Sequence, residues 1–435
     1  MRSLASAELA QYVARPDSSY RWEIVGSGKL RSGDYIEAIL TSQTWRGIAW
    51  KHQLFLFRPK RITSRHAFLY IDGGRWKEEY ENGHAELPRA AALFVRLAQT
   101  IHAPVAVVRQ VPFQPLFDRR EDALIAYTFD RYLETGDPDW PLLLPMVKAA
   151  MRAMDTVQTL AQSRWQLSID RFTVAGASKR GWTSWLTAAS DPRVAAVAPM
   201  VIDMLNVPAQ IRLQRDTFGR LSEQIQDYQD IDLPGRIDSD RGRALLEMVD
   251  PYRHRAALTQ PKLLLLGTND HYWPLDALSL YWDGLPEPKR VLYVPNQGHD
   301  IRDLQRVVGA LSALHRYSVR GEPLPSLSWS FAASAKNLQL SVQPGRKPAH
   351  VIAWHASSAT RDFRDAHWSA QRCRESKGQF LCTRAPSASA YTALFSEVTF
   401  KDRGEQEFSL STAVCVVDVN GTMVRQCLDN GPEGH

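Results

Sequence analysis

The chain has 435 residues, 44% of them apolar and 23% charged, with a formal net charge of +6. That length predicts one large domain with a smaller companion. No run approaches 18 uninterrupted apolar residues, which excludes a helical membrane span visible by hydropathy. The basic residues are dispersed, so a nucleic-acid partner is not expected.

In chain order, the first twenty residues lack the long apolar region of a secretory signal. "HQLFLFRP" (His52–Pro59), "HAFLYIDGG" (His66–Gly74) and "APVAVVRQVP" (Ala103–Pro112) read as strands. "RFTVAGAS" (Arg171–Ser178), "VAAVAPMVID" (Val194–Asp203), "PKLLLLGTND" (Pro261–Asp270) and "KRVLYVPN" (Lys289–Asn296) read the same way. The middle runs are continuously apolar, as in parallel strands covered on both faces. Helical periods lie between them. Leu144, Val147, Met151, Met154 and Val157 form one stripe within Pro141–Leu160, and Arg302–Tyr317 repeats the pattern. The alternation predicts an α/β fold with a mostly parallel, doubly wound sheet.

Residues 205–258 interrupt the alternation with a polar, helical stretch, either a cap over a site or a peripheral insertion. A Pro-containing linker near Gly321 then opens a region of short alternating runs, expected to be a small all-β, sandwich-like domain over 321–435 after a first domain over 1–320. All four cysteines, Cys373, Cys382, Cys415 and Cys427, lie in this last region. Their even number predicts one or two disulfides, with pairing open, and an oxidising compartment, periplasmic or secreted.

The chemistry centres on "GASKRG". A serine hydroxyl becomes a useful nucleophile when a base takes its proton. Ser178 stands between a strand and the helical run "KRGWTSWLTAAS", where a sharp turn would expose Oγ at a helix N-terminus. Position +2 is Arg180 and the glycine comes one later, at Gly181, so the strict G-x-S-x-G pattern is broken. In chain order an acid and then a histidine should follow. Asp270 ends one strand and His299 follows the next, in "PNQGHD". His299 would be the general base, with Asp270 orienting it. Asp203 and Asp276 are rival acids. Oxyanion donors are expected from the Lys179 backbone and from Gly73 or Gly74 in "IDGGRW".

Glu121 and Asp122 could anchor a polar substrate group, although a dipole-stabilised helix start explains them more simply. Glu78 and Glu79, near the oxyanion loop, invite the same comparison. Trp273, with Trp45, Trp50 and Trp76, could line a pocket or simply pack. The twelve histidines form no metal-binding pattern. No metal or cofactor is expected. The substrate, a small molecule or a peptide, stays open, as does the oligomeric state.

"SQTWRGIAWKH", "REDALIAYTFDRYLETGD", "LPMVKAAMRAMDTVQ", "GASKRGWTSWLTAASDPRVAAVAPMVIDMLN", "VDPYRHRAALTQPKLLLLGTNDHYW", "VPNQGHD" and "TRDFRDAHW" together resemble the PhoP/PhoQ-activated pathogenicity-related family. The resemblance makes "GASKRG" the family form of the turn. It implies an α/β-hydrolase core with a C-terminal β domain, and a triad of Ser178, Asp270 and His299. It also implies an exported protein, and it leaves the substrate undefined. The expectation is a serine hydrolase for an ester or peptide-like acyl bond; the alternative is a non-catalytic, virulence-associated binding protein on a hydrolase scaffold.

Overall fold

Continuous apolar runs mark the parallel strands, from His66–Ile71 to Lys289–Val294. The computed structural model describes residues 4–84, 87–404 and 406–431. The chain divides into two units interleaved in sequence: Met1–Ile202 with Gln226–Pro261 and Ser318–Arg320, and Asp203–Ile225 with Lys262–Tyr317 and Gly321–His435.

The first unit contains β1 (Arg21–Leu30), β2 (Gly33–Trp45), β3 (Ile48–Pro59), β4 (His66–Ile71), β5 (Val105–Val108), β6 (Arg171–Ala177) and β7 (Val194–Met200). Its strand order is β1-β2-β3-β5-β4-β6-β7. The pairings from β1 to β5 are antiparallel, and β5, β4, β6 and β7 run parallel. Parallel neighbours need crossovers. These carry α2 (Ala91–Ile101), α3 (Glu121–Thr135), α4 (Leu143–Trp165) and α5 (Lys179–Ser190), after an N-terminal α1 (Leu4–Ala14). The stripe expected on α4 is buried at Leu144, Val147, Met154 and Val157.

β1 and β2 were not anticipated. β2 buries Glu37, Thr41, Ser42 and Gln43, so it lacks the polar–apolar alternation of a half-exposed strand. Side-chain partners satisfy Glu37, Ser42 and Gln43, as a dry interior requires. Ser42 Oγ lies 2.9 Å from His52 Nε2, Tyr12 donates to Gln43 at 3.0 Å, and His84 lies 2.6 Å from Glu37.

Between β7 and the next strand the chain forms α6 (Val207–Phe218), α7 (Gln226–Asp230), α8 (Leu233–Arg236) and α9 (Asp240–Val249). α6 belongs to the second unit and α7, α8 and α9 to the first.

In the second unit β8 (Lys262–Gly267) and β9 (Lys289–Val294) are parallel, and α10 spans Leu304–Val319. Leu263, Leu264, Leu265 and Leu266 are all buried, each contributing roughly 1.5–3 kcal/mol. The remaining strands are β10 (Leu327–Ser334), β11 (Asn337–Pro344), β12 (His350–Ser358), β13 (Ser369–Arg372), β14 (Arg374–Ser376), β15 (Gln379–Arg384), β16 (Tyr391–Lys401), β17 (Glu407–Ser411) and β18 (Cys415–Val417). β17 pairs with β9, so β17, β16, β12 and β13 extend the β8–β9 sheet with antiparallel strands. β10-β11-β15-β14 is a separate antiparallel sheet. Two disulfides join Cys373 to Cys382 and Cys415 to Cys427. Parallel strands with covering helices, extended by antiparallel strands in each unit and accompanied by a separate antiparallel sheet, make the α/β-hydrolase architecture expected.

Candidate active site

The "GASKRG" segment makes a sharp turn whose geometry explains each of its glycines. β6 ends at Ala177 and α5 begins at Lys179. Ser178, alone between them, has φ 57° and ψ −128°, a conformation costly for any residue with a Cβ. Its amide donates to the Met200 carbonyl at 2.8 Å. A Cβ on Gly176 would lie 2.6 Å from the Arg180 carbonyl oxygen. One on Gly181 would lie 2.8 Å from Ile202 and 2.9 Å from the Gly176 carbonyl oxygen. The strand and helix arms therefore cross at Gly176 and Gly181, and position +2 can carry a side chain. Lys179 is the first helical residue, so its amide is one of the helix-start donors that lack an intrahelical acceptor.

The Arg180 side chain is built into the turn's surroundings. It donates through Nε to the Val111 carbonyl at 2.6 Å and grips Glu121 with two bonds of 2.7 and 2.8 Å. The guanidinium passes so close to Gly73 that a Cβ there would lie 2.4 Å from Nη2. The "IDGGRW" loop is thus brought against the turn. The Gly73 carbonyl is held by the Gln110 amide at 3.0 Å. Since the Gly73–Gly74 peptide is trans planar, the Gly74 N–H points the opposite way. Gly74 has φ 112°, where only glycine is at ease.

Glu121 and Asp122 do open a helix, α3, as the simpler expectation held. The sequence did not reveal what they face there. Lys179 Nζ lies 3.0 Å from Glu121 and 3.0 Å from Asp122, and Tyr228 donates to Asp122 at 3.0 Å. Burial raises the Glu121 carboxyl, but Arg180, Lys179 and Gln114 outweigh it and hold that carboxyl well below the usual range.

In the second unit the loops beyond the carboxyl ends of β8 and β9 meet. A Cβ on Gly267, the last residue of β8, would lie 2.4 Å from the carbonyl oxygens of Gln297 and Gly298. This close approach seats the histidine loop over the acid loop. His299 Nδ1 lies 2.9 and 3.1 Å from the two Asp270 oxygens. A carboxylate accepts, so Nδ1 carries the proton and Nε2 is the basic nitrogen. The Tyr272 ring stacks on His299 with centroids 4.0 Å apart, and the Tyr272 amide donates to Asp270 at 2.9 Å. A cavity of about 530 Å³ adjoins the histidine, lined in part by Gln224, His271, Tyr272, Gln297, His299 and Arg302.

The rival acid Asp203 is engaged elsewhere, accepting a hydrogen bond from Tyr281. Burial, opposed by that bond and reinforced by Asp270 and Asp276, pushes its carboxyl up to about 8. Asp276 precedes a short 3₁₀ turn at Ala277–Leu280, and its carboxyl is raised chiefly by burial. Trp45, Trp50 and Trp76 are buried, and Trp45 meets Trp50 edge-on at 5.8 Å. Trp273 is half-buried. Glu78 accepts from the Trp76 indole, and Glu79 pairs with Lys77. Among the described residues no cluster of His, Cys, Asp or Glu is suited to a metal ion, and no helix is long and apolar enough to cross a membrane.

A family model described as PhoPQ-activated pathogenicity-related protein matches residues 9–364. Autocrine proliferation repressor protein A of Dictyostelium discoideum is 30% identical over 387 residues, 83% of this chain and 77% of that protein. Among solved structures, acetyl xylan esterase from Paenibacillus sp. R4 is 14% identical, with 68% of this chain and 87% of that one covered and a TM-score of 0.48. Acetyl xylan esterase 1 from Thermoanaerobacterium sp. JW/SL YS485 is also 14% identical, with 72% and 92% covered and a TM-score of 0.48.

Proposed function

The chain belongs to the PhoPQ-activated pathogenicity-related protein family, and from that premise we propose that it is a serine hydrolase for an ester or peptide-like acyl bond. The observation that carries the proposal is the conformation of Ser178. A strained backbone, φ 57° and ψ −128°, is kept at the one residue between a strand and a helix N-terminus. The Asp270–His299 pair at 2.9 Å supplies the matching base and its orienting carboxylate.

In this mechanism Ser178 Oγ attacks the acyl carbon while His299 Nε2 takes the hydroxyl proton. The Lys179 amide, with Gly73 or Gly74, bears the charge that develops on the carbonyl oxygen. Asp270 holds the tautomer through Nδ1 and stabilises the imidazolium. Collapse expels the alcohol or amine, which leaves with the proton from His299. Water then attacks the acyl-enzyme, giving up a proton to His299, and the acid departs as Ser178 regains its hydroxyl. These steps call on no cofactor. The two disulfides support an oxidising location, periplasmic or secreted.

A fluorophosphonate probe tests the assignment. Labelling at Ser178 that disappears in Ser178→Ala and falls strongly in His299→Ala is the expected result; equal labelling of Ser178→Ala refutes it. One observation favours a second, non-catalytic reading: the relative at 30% identity bears the name of a proliferation repressor. A biological effect that survives Ser178→Ala would select that reading.

A further inference from the structure

The C-terminal region reaches back to the acid–base pair through a short stretch of backbone. Asn269, immediately before Asp270, donates its side-chain amide to the carbonyls of Arg364 at 3.0 Å and Ala366 at 2.7 Å, with Phe363 more distant at 3.4 Å. Asn296, three residues before His299, makes a reciprocal pair with Trp368. Its Nδ2 donates to the Trp368 carbonyl at 2.9 Å, and its Oδ1 accepts from the Trp368 amide at 2.8 Å. One six-residue segment, 363–368, therefore ties down both loops.

The segment is itself fixed. Phe363 and Trp368, at its two ends, are buried, their ring centroids 6.4 Å apart, and Trp368 meets Phe395 of β16 edge-on at 5.2 Å. Arg364 pairs with Asp362 at 2.7 Å and Glu223 at 3.1 Å, and its guanidinium lies over the Phe218 ring at 4.1 Å. Loops at the edge of a sheet are ordinarily mobile, whereas a proton relay needs its groups held within a fraction of an ångström. An asparagine whose donors go to anchored carbonyls gives that rigidity without adding charge beside the carboxylate.

We propose that Asn269 and Asn296 are positioning residues, which use the 363–368 backbone as a clamp that holds Asp270 and His299 in register. As a statement about catalysis this rests on the serine-hydrolase reading; as a statement about the loops it does not. The test compares full-length wild type with Asn269→Ala and Asn296→Ala, single changes on different loops, so that a folding failure of one leaves the other. Two readouts at 25 °C are hydrolysis of p-nitrophenyl acetate and amide hydrogen exchange of residues 268–272 and 296–300. The expected result is kcat down by about 10- to 100-fold with KM within about threefold, and faster exchange confined to those loops. Unchanged kcat and exchange overturn the proposal, and so does a lowered Tm with both unchanged. If wild type and Ser178→Ala hydrolyse the ester alike, the hydrolase reading has failed and exchange alone decides. Loops that open on substitution sustain the clamp, and loops that do not overturn it.

Discussion

Arg180 and Glu121, fifty-nine residues apart in the chain, face each other through two parallel hydrogen bonds of 2.7 and 2.8 Å. Lys179, also buried, leans on the same carboxylate. Glu121→Gln leaves two cations beside the turn undercompensated. The side chain of Glu121 keeps 41% of its exposure, and solvent screens what is lost, so the cost is set at about 1–3 kcal/mol. Urea denaturation at neutral pH measures it.

The same pair predicts a pH dependence. The folded state lowers the Glu121 pKa, so its contribution is complete above the unfolded carboxylate value of roughly 4.3 and fades as pH falls through the lower folded value. Wild type should therefore lose its advantage over Glu121→Gln progressively below about pH 4. Denaturation midpoints of both proteins, at pH 7 and at the lowest pH where they stay folded, check this. A gap of constant size would contradict it.

Strain at Ser178 is separable from its chemistry. Alanine and glycine both remove the hydroxyl, yet only glycine accepts φ 57° and ψ −128° freely. Both variants should resist fluorophosphonate. Ser178→Gly should be more stable than Ser178→Ala by about 1 kcal/mol or more. Thermal melts side by side decide the point.

The two candidate acids are distinguished by their partners, His299 for Asp270 and Tyr281 for Asp203. Asp270→Asn replaces the acceptor at His299 Nδ1 and should cut kcat by about 10³- to 10⁴-fold. Asp203 is engaged by Tyr281 and its carboxyl is pushed up to about 8 by burial, so Asp203→Asn should alter kcat by less than about tenfold. It should also act on stability with the opposite sign to Glu121. A raised folded pKa gives a contribution that is full below the unfolded value of roughly 3.9 and is lost as pH climbs toward 8. Asparagine escapes that loss, so Asp203→Asn should gain on wild type between pH 5 and pH 8.

Each disulfide closes a short loop, with sequence separations of 9 and 12. Chain-entropy arguments give roughly 3 kcal/mol for each. Thiol titration of the native protein should find no free cysteine, and the melting temperature should drop once reductant is added.

What could be read in advance follows a physical line. Strands with continuous apolar character, and α4 with its stripe, announce themselves because burial alone selects their residues. The placement of Asp270 and His299 in the loops after β8 and β9 was legible because both residues follow apolar runs. The Lys179–Asp122 and Arg180–Glu121 pairs were not, since charges at a helix start have a sufficient local explanation. The polar interior of β2 hid that strand, and its side chains are satisfied by partners such as His52 and Tyr12 that periodicity does not mark. Asn269 and Asn296 gave no signal at all. Their partners are backbone atoms some seventy to a hundred residues downstream, where any side chain would serve as well.

That downstream dependence has a consequence during synthesis. A nascent chain emerges from the ribosome with Asp270 and His299 well ahead of residues 363–368, and strand β17, which borders β9, comes later still. Domains fold in the order their residues become available. An interrupted translation product would carry Ser178 but lack the 363–368 segment to which the Asn269 and Asn296 side chains bond.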